Sequence, residues 1–156
     1  MTNEKLFSLI AKYQSNLNSQ DLAIVTNYLK DKEDEHFLSL HSFPLLNPII
    51  GFIYSWFFPM FGIGAFYAKK TYFSVFQFIS YVFFMCIYLG YPLYYGSDID
   101  EIIDFWLSNR KIGYGYFFFS LSFTIYITLF LIGITNVQKW IKDYNFKKLI
   151  EYLISL

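Results

Sequence analysis

Residues 45–68 form an apolar stretch, LLNPIIGFIYSWFFPMFGIGAFYA, that contains no Asp, Glu, Lys, Arg or His and stops at Lys69 and Lys70. A helix rises ~1.5 Å per residue, so this stretch reaches roughly 36 Å, which is enough to cross a hydrocarbon core of ~30 Å. Two further uncharged stretches of spanning length follow, at residues 71–95 and 112–135. The pattern predicts an all-α integral membrane protein with about three transmembrane helices.

Charged residues are scarce in this chain and are segregated along it. They make up 15% of the sequence, against about 25% in ordinary soluble domains, and all of them lie outside the three apolar stretches. This segregation is typical of membrane proteins. We therefore predict a polar N-terminal segment at residues 1–44, a transmembrane domain at 45–135 and an amphipathic tail at 136–156. We expect a multi-pass protein of the cell membrane, which in a bacterium is the inner membrane.

Residues 3–29 carry two amphipathic patterns that predict two short helices. Leu6, Leu9 and Tyr13 share one face of the first helix, and Ser19 is placed to cap the second. Neither helix buries enough apolar surface alone. We therefore expect them to pack on each other, on the membrane surface or on a partner.

Two more amphipathic segments are predicted in the second half of the chain. At residues 96–111, Asp98 and Glu101 resemble a capping box ahead of an apolar face, so we expect an interfacial helix that lies flat on the membrane. In the tail, residues 136–156, the apolar face changes register at Asn145. This change favours two short interfacial helices, or one helix bent at Asn145, over a single straight helix.

The first apolar stretch contains Pro59 followed by Gly62, and these residues predict a kink or break in its helix. Two topologies are compatible with such a break. In the first, residues 45–68 cross the membrane as the first of three spans. In the second, they fold back as a re-entrant hairpin, which gathers most lysines on one side as the positive-inside rule prefers. We favour three spans, because broken backbone at membrane depth must be shielded by other protein.

Small or polar residues recur at helical spacing within each apolar stretch and predict faces that pack against other helices. In the second stretch, Gln77 is expected to hydrogen-bond to another helix, because an unpaired amide is costly in hydrocarbon. The residues predicted to mediate helix packing are Asn47, Gly51, Ser55, Gln77, Ser120, Thr124 and Thr128.

Side chains that could carry chemistry are rare in this chain. The three apolar stretches contain no Asp, Glu, His, Lys or Arg, which argues against an enzyme or an ion-coupled transporter. On a helix, His36 and His41 would point about 140° apart, so they do not suit a shared metal ion. Cys86 is the only cysteine, and no basic face interleaved with aromatic residues suits nucleic acid. We predict no catalytic residue, no metal and no cofactor.

The motifs FGIGAFY, at residues 61–67, and KDYN, at residues 142–145, resemble those of the TM-two domain family, which are small membrane proteins built of a helix, a tight turn and a second helix. On these motifs the chain is identified as a divergent member of that family. The resemblance covers roughly residues 45–150 and implies fold and membrane location, since the family has no defined biochemical activity. The matching residues are Phe61, Gly62, Phe66, Tyr67, Lys142 and Asn145.

The chain departs from the family pattern at charged positions. Gly64 and Ala65 stand where the family carries an acid or His followed by Arg, and Lys69 stands where it carries a glycine. Thr128 stands where the closing helix of the family carries an Asp. The resemblance therefore implies no role for the charges of the turn.

These features together predict a membrane protein of structural, interaction or accessory type, which recruits or stabilises another membrane component. A passive pore or an accessory subunit of a transporter is the alternative left open. The expected partners are the lipid bilayer and either another membrane protein or a second copy of this chain, and nucleic acid is not expected.

Overall fold

The computed structural model describes residues 1–94, 102–108 and 113–156, and within these ranges every regular element is a helix. Two of the elements are short 3-10 turns, at Asp34–His36 and Pro59–Phe61. The α-helices are α1 (Asn3–Gln14), α2 (Ser19–Lys30), α3 (Phe37–Ser42), α4 (Pro48–Phe57), α5 (Ile63–Tyr67), α6 (Thr71–Tyr94), α7 (Ile102–Ser108) and α8 (Gly113–Ser155).

The headpiece consists of residues 1–45 and residues 145–156, which pack α1, α2, α3 and the C-terminal end of α8 around one apolar core. The two helices predicted within residues 3–29 are confirmed, and they pack on each other and on α8. The predicted cap at Ser19 is wrong by one position, because Asn18 precedes the first helical residue. The buried core residues are Leu6, Leu9, Tyr13, Leu17, Val25, Leu29, Leu40, Leu149 and Leu153.

Polar contacts hold the headpiece around this core. The Tyr13 hydroxyl donates to the carbonyl oxygen of Leu40 over 2.6 Å, and burial raises the pKa of Tyr13, so the phenol stays a donor. Asp34 accepts from the backbone N–H of Thr2 at 2.6 Å and from Lys5 at 3.1 Å. These two donors hold the pKa of Asp34 below its usual value. The beginning of α1 is thereby fixed to the turn before α3.

Residues 47–68 form a helical hairpin, which we call the hairpin below. After α4 ends, Pro59 has no N–H to continue the helix, and Gly62 turns the chain with a φ of 61°. At the open end, the backbone N–H of Asn47 donates to the Tyr67 hydroxyl over 3.0 Å. The predicted break at Pro59 is confirmed, but the prediction of one spanning helix over residues 45–68 is wrong, because the stretch returns to where it began.

α6 and the first part of α8 form an antiparallel helix pair. Near the beginning of α6, the rings of Phe73 and Trp140 lie 5.0 Å apart, while Tyr91 near its end packs closely over Gly115. Both helices are long and apolar enough to cross a membrane. The second predicted stretch is confirmed as α6, apart from Tyr95, which lies outside the described residues.

α8 is one helix of 43 residues without a break at Asn145. The prediction of separate tail helices after residue 135 is therefore wrong, because the predicted third stretch and the tail form one helix. The reason lies in the partners of α8. Val137 and Ile141 pack against the hairpin, whereas Leu149 and Leu153 pack in the headpiece. The apolar face changes register because the neighbouring structure changes, so the helix axis does not need to bend.

α7 is the helix predicted between the second and third apolar stretches. Its Trp106 is buried, and the indole N–H donates to the carbonyl oxygen of Tyr88 over 3.0 Å. This bond fixes α7 to the end of α6. The predicted capping residues Asp98 and Glu101 lie outside the described residues.

The interior of the remaining helices is more polar than the interior of the headpiece. Leucine, valine and tyrosine fill the headpiece. Where the hairpin, α6 and α8 meet, the buried side chains include Ser55, Ser74, Gln77, Ser80 and Ser122, while large apolar side chains face outward. The most exposed of the outward residues in the hairpin and α6 include Ile49, Trp56, Phe57, Phe66, Phe76, Ile79 and Phe83.

We predict that Gly64→Ala destabilises the hairpin. A Cβ atom at Gly64 would lie 2.7 Å from the backbone nitrogen of Ser55, so α4 and α5 would have to separate. Overpacking of this kind costs about 1–3 kcal/mol. Gly90→Ala is the matched control, because a Cβ atom there meets nothing within 4 Å. Thermal unfolding in mild detergent should show a lower midpoint for Gly64→Ala alone, and equal midpoints would contradict the close approach of the two helices.

Candidate functional site

The beginning of α4, the end of α5 and the middle of α8 meet at one place, which we call the junction (Leu46, Asn47, Tyr67, Ile141 and Asn145). Asn145 is fully buried there. Its side-chain oxygen accepts from the backbone N–H of Leu46 at 2.9 Å, and its amide donates to the carbonyl oxygen of Leu46 at 2.8 Å. The same amide donates to the carbonyl oxygen of Asn16 at 3.1 Å. One side chain therefore joins α8, the connection into the hairpin and the end of α1.

The hairpin approaches α8 closely at the junction because Gly51 has no side chain. A Cβ atom at Gly51 would overlap the side chain of Ile141 and would lie 3.3 Å from Val137. Val137 and Ile141 are fully buried and form a small apolar cluster with Ala68, the residue that follows α5. Both arms of the hairpin are thus held on the same stretch of α8.

Asn47 and Ser55 occupy the two ends of α4. Asn47 caps the helix, since its side-chain oxygen accepts from the backbone N–H of Ile49 at 2.9 Å. Ser55 is buried against Gly64 on the opposite arm. Of the three residues predicted to pack in this stretch, Gly51 faces α8 and Ser55 faces α5, whereas the Asn47 side chain is exposed and serves as a helix cap.

Gln77 closes the tip of the hairpin. Its side chain is buried, and the amide donates to the carbonyl oxygen of Pro59 over 2.7 Å. The predicted hydrogen bond from Gln77 to another element is therefore confirmed, and its acceptor lies in the 3-10 turn between α4 and α5. Gly62 packs beside this bond, where a Cβ atom would lie 2.8 Å from the backbone oxygen of Ser74.

Ser120, Thr124 and Thr128 lie on the outward side of α8 and are exposed in this chain. The Thr124 hydroxyl donates to the carbonyl oxygen of Ser120 over 2.8 Å, a bond within its own helix. Ser122, which lies between Ser120 and Thr124 in the sequence, is buried instead. The three predicted packing residues therefore do not pack inside the chain, and a role for them between two chains stays a prediction.

The residues that resemble the TM-two domain motifs divide between the junction and the surface. Gly62 takes the left-handed turn conformation, and Tyr67 and Asn145 make the bonds described above. Lys142 is half-buried on α8. Phe61 and Phe66 point outward, and the ring of Phe61 lies 6.2 Å from that of Phe78.

Lys69 and Lys70 form the turn between α5 and α6. Lys69 has a φ of 60°, a conformation that glycine adopts more easily than lysine. The backbone N–H of Lys70 donates to Ala65 and that of Lys69 donates to Phe66, each over 2.9 Å. This pair of bonds closes the C-terminal end of α5. Both lysine side chains project from the turn and are exposed.

The titratable side chains do not converge on a reactive centre within the described residues. No group of three His, Cys, Asp or Glu side chains lies close enough there to hold a metal ion. His36 pairs with its neighbour Glu35 at 3.6 Å, and His41 packs against the ring of Phe37. Cys86 is exposed on α6. The contacts described at the junction are contacts between helices.

The bonds made by two polar residues are not predicted by reasoning from sequence. Tyr13 is placed on the apolar face of α1, although its hydroxyl also ties α1 to α3. Asn145 is predicted as a motif residue and as the point at which the apolar face changes, but its bonds to Leu46 and Asn16 are not predicted. That change was itself the available signal, because an asparagine between two apolar registers of one helix marks a place where two different neighbours meet.

Comparisons of the chain with protein families, with curated proteins and with solved structures find no match. The resemblance to the TM-two domain family therefore stays a prediction that depends on the motif residues alone.

We predict that Asn145→Ala loosens the junction. The substitution removes three hydrogen bonds and leaves both backbone polar groups of Leu46 without this partner, which should cost about 3 kcal/mol. Asn136→Ala on the same helix is the control, because the Asn136 amide bonds only within its own helix, to Ile132 and Thr135. Thermal unfolding in detergent measures both variants. Equal losses for the two variants would contradict the linking role of Asn145.

Proposed function

We propose that this protein is a membrane-anchored interaction protein. In this proposal the hairpin, α6 and the first part of α8 lie in the bilayer, and the headpiece stands at the surface and binds another protein. The observation that carries the proposal is the reversal of burial between the two parts of the chain. Large exposed apolar side chains surround an interior containing serine and glutamine, which suits lipid and is costly in water.

Helix lengths agree with this division. α6 has 24 residues and so reaches ~36 Å, slightly more than a hydrocarbon core of ~30 Å. α8 has 43 residues and reaches ~65 Å, about twice that thickness. Its second half must therefore leave the bilayer, and this half is the part that enters the headpiece. α4 has 10 residues, ~15 Å, and reaches only to mid-membrane.

A hairpin at membrane depth requires that its broken backbone be satisfied by protein, since lipid offers no hydrogen bonds. Gln77 meets this requirement at the carbonyl oxygen of Pro59. At Gly51 and Gly62 the hairpin backbone also packs closely on α8 and on α6. These contacts support a re-entrant hairpin.

The hairpin topology also groups the charges. Residues 1–44, the Lys69–Lys70 turn and residues 136–156 all lie at the same end of the helix pair, because Asn47 contacts Tyr67 and Leu46 contacts Asn145. Most of the lysines of the chain are in these segments. The positive-inside rule then orients the headpiece toward the cytoplasm.

The headpiece offers apolar surface for a partner. Phe7 on α1 is 70% exposed, Leu38 on α3 is 77% exposed and Ile154 at the end of α8 is 66% exposed. Single apolar residues on a surface are common, but three so exposed on a bundle of this size favour a protein partner. Because α8 runs unbroken from the helix pair into the headpiece, a partner bound there is held at a fixed position near the membrane.

The proposal is tested by co-purification from membranes in mild detergent. We expect the protein to stay in the membrane fraction after carbonate washing and to bring down a partner at fixed stoichiometry. The double variant Phe7→Ser with Leu38→Ser should lower recovery of this partner about tenfold, whereas the control Lys30→Gln, a charge change on exposed α2 surface, should not. Release by carbonate would contradict the membrane anchor. A pure homo-oligomer that conducts ions would contradict the interaction role and favour the pore.

A further inference from the structure

A cluster of lysines lies where the hairpin returns to the headpiece. Lys69, Lys70 and Lys147 line one cavity of about 200 Å³ between the turn and α8. Asp143 is the carboxylate of this cavity, and it accepts a hydrogen bond from Asn18 at 3.4 Å. Three ammonium groups against one carboxylate leave a net positive charge. Among the residues that the structure describes, these ammonium groups make no ion pair or hydrogen bond.

The positive φ of Lys69 indicates that its side chain has a functional role. At this position, one residue past the last turn of α5, glycine is the usual residue because it adopts a positive φ without strain. Lys69 has a φ of 60° and still closes the helix with the normal pair of bonds. Strained conformations of this kind concentrate at functional positions. A lysine therefore occupies a position at which glycine would be less strained.

An apolar groove begins at the same lysine. It has a volume of about 490 Å³ and is lined by Tyr54 and Phe58 on the α4 side and by Ile63, Phe66 and Lys69 on the α5 side. This volume is in the range of small-molecule and cofactor sites. Lys69 therefore stands at the end of an apolar groove and also in the basic cavity.

Aromatic residues at this level are those expected at the surface of a bilayer. Trp140 and Tyr144 line the basic cavity on α8. Tyr72, one turn away at the beginning of α6, is 94% exposed. Tryptophan and tyrosine are enriched where the hydrocarbon core meets the headgroups. The lysines are thus at headgroup level, and the groove extends from them along the hairpin.

The geometry points to a binding site for one anionic phospholipid. Its phosphate lies among Lys69, Lys70 and Lys147, and one acyl chain lies in the groove between α4 and α5. This inference rests on the proposed function, because it needs the hairpin to be in the bilayer. The apolar groove is what favours a lipid over free phosphate, since three exposed lysines alone hold a soluble anion weakly. The bound lipid would cover the exposed side of the hairpin.

The site is tested by native mass spectrometry of the protein in mild detergent, titrated with phosphatidylglycerol and, separately, with phosphatidylcholine. We expect one phosphatidylglycerol per chain, bound at least tenfold more tightly than phosphatidylcholine. Lys69→Gly should weaken phosphatidylglycerol binding about fivefold, the factor that corresponds to one lysine near an anionic lipid. Because glycine suits the turn, this variant should unfold at the same temperature as the native chain or higher.

Lys139→Gln is the matched control. Lys139 is exposed on α8 at a similar level but does not line either cavity. If Lys139→Gln and Lys69→Gly weakened phosphatidylglycerol binding equally, the lipid would be attracted by the basic surface in general. This result would overturn the proposed site. If inorganic phosphate at millimolar concentration displaced phosphatidylglycerol completely, the ligand would be a free anion and the lipid would be overturned as the occupant of the site. Equal binding of the two lipids by a chain that still resists carbonate extraction would overturn this inference and leave the membrane anchor standing.

Discussion

The hydrogen bonds of Asn145 are the interaction on which the arrangement of the molecule depends. They pair both polar groups of Leu46, the residue at which the chain leaves the headpiece and begins the hairpin, and they reach the end of α1. Since Asn145 is fully buried, these bonds are shielded from water and a missing partner would be costly. The headpiece, the hairpin and α8 therefore keep a fixed relation to one another.

A second constraint acts on the whole chain, because its two parts have different interiors. The headpiece buries mainly leucine and valine, as a protein in water does, and the remaining helices bury serine and glutamine as well as apolar residues beneath an apolar surface. α8 contributes to both interiors, with Val137 and Ile141 toward the hairpin and Leu149 and Leu153 toward the headpiece. If the helix pair lies in lipid, the change between the two interiors marks the membrane surface, at the same level as the lysine turn and Trp140.

Much of the fold could be predicted from sequence, because it follows from local patterns. Helical periodicity predicts α1 and α2, and the uncharged stretch of spanning length predicts α6. Pro59 and Gly62 predict the break in the first apolar stretch, and the burial of an amide in hydrocarbon predicts a partner for Gln77. The rest depended on contacts between distant segments. Whether residues 45–68 cross or return is decided by Asn47 meeting Tyr67, and whether α8 bends is decided by which neighbours it has on each side of Asn145. The same limit applies to the packing face predicted on α8. Four-residue spacing shows that Ser120, Thr124 and Thr128 share one face of the helix, but it does not show whether that face points inward or outward.

In the proposed topology, the hairpin returns to the side of the membrane on which it began. The most direct test replaces Cys86 with serine and places single cysteines at His36, Lys69 and Asp98. An impermeant thiol reagent is then applied to intact cells and, separately, to opened membranes. A returning hairpin requires positions 36 and 69 to react alike and position 98 to react from the opposite side. Reaction of positions 36 and 69 from opposite sides would mean that residues 45–68 cross the bilayer, and would contradict the returning hairpin.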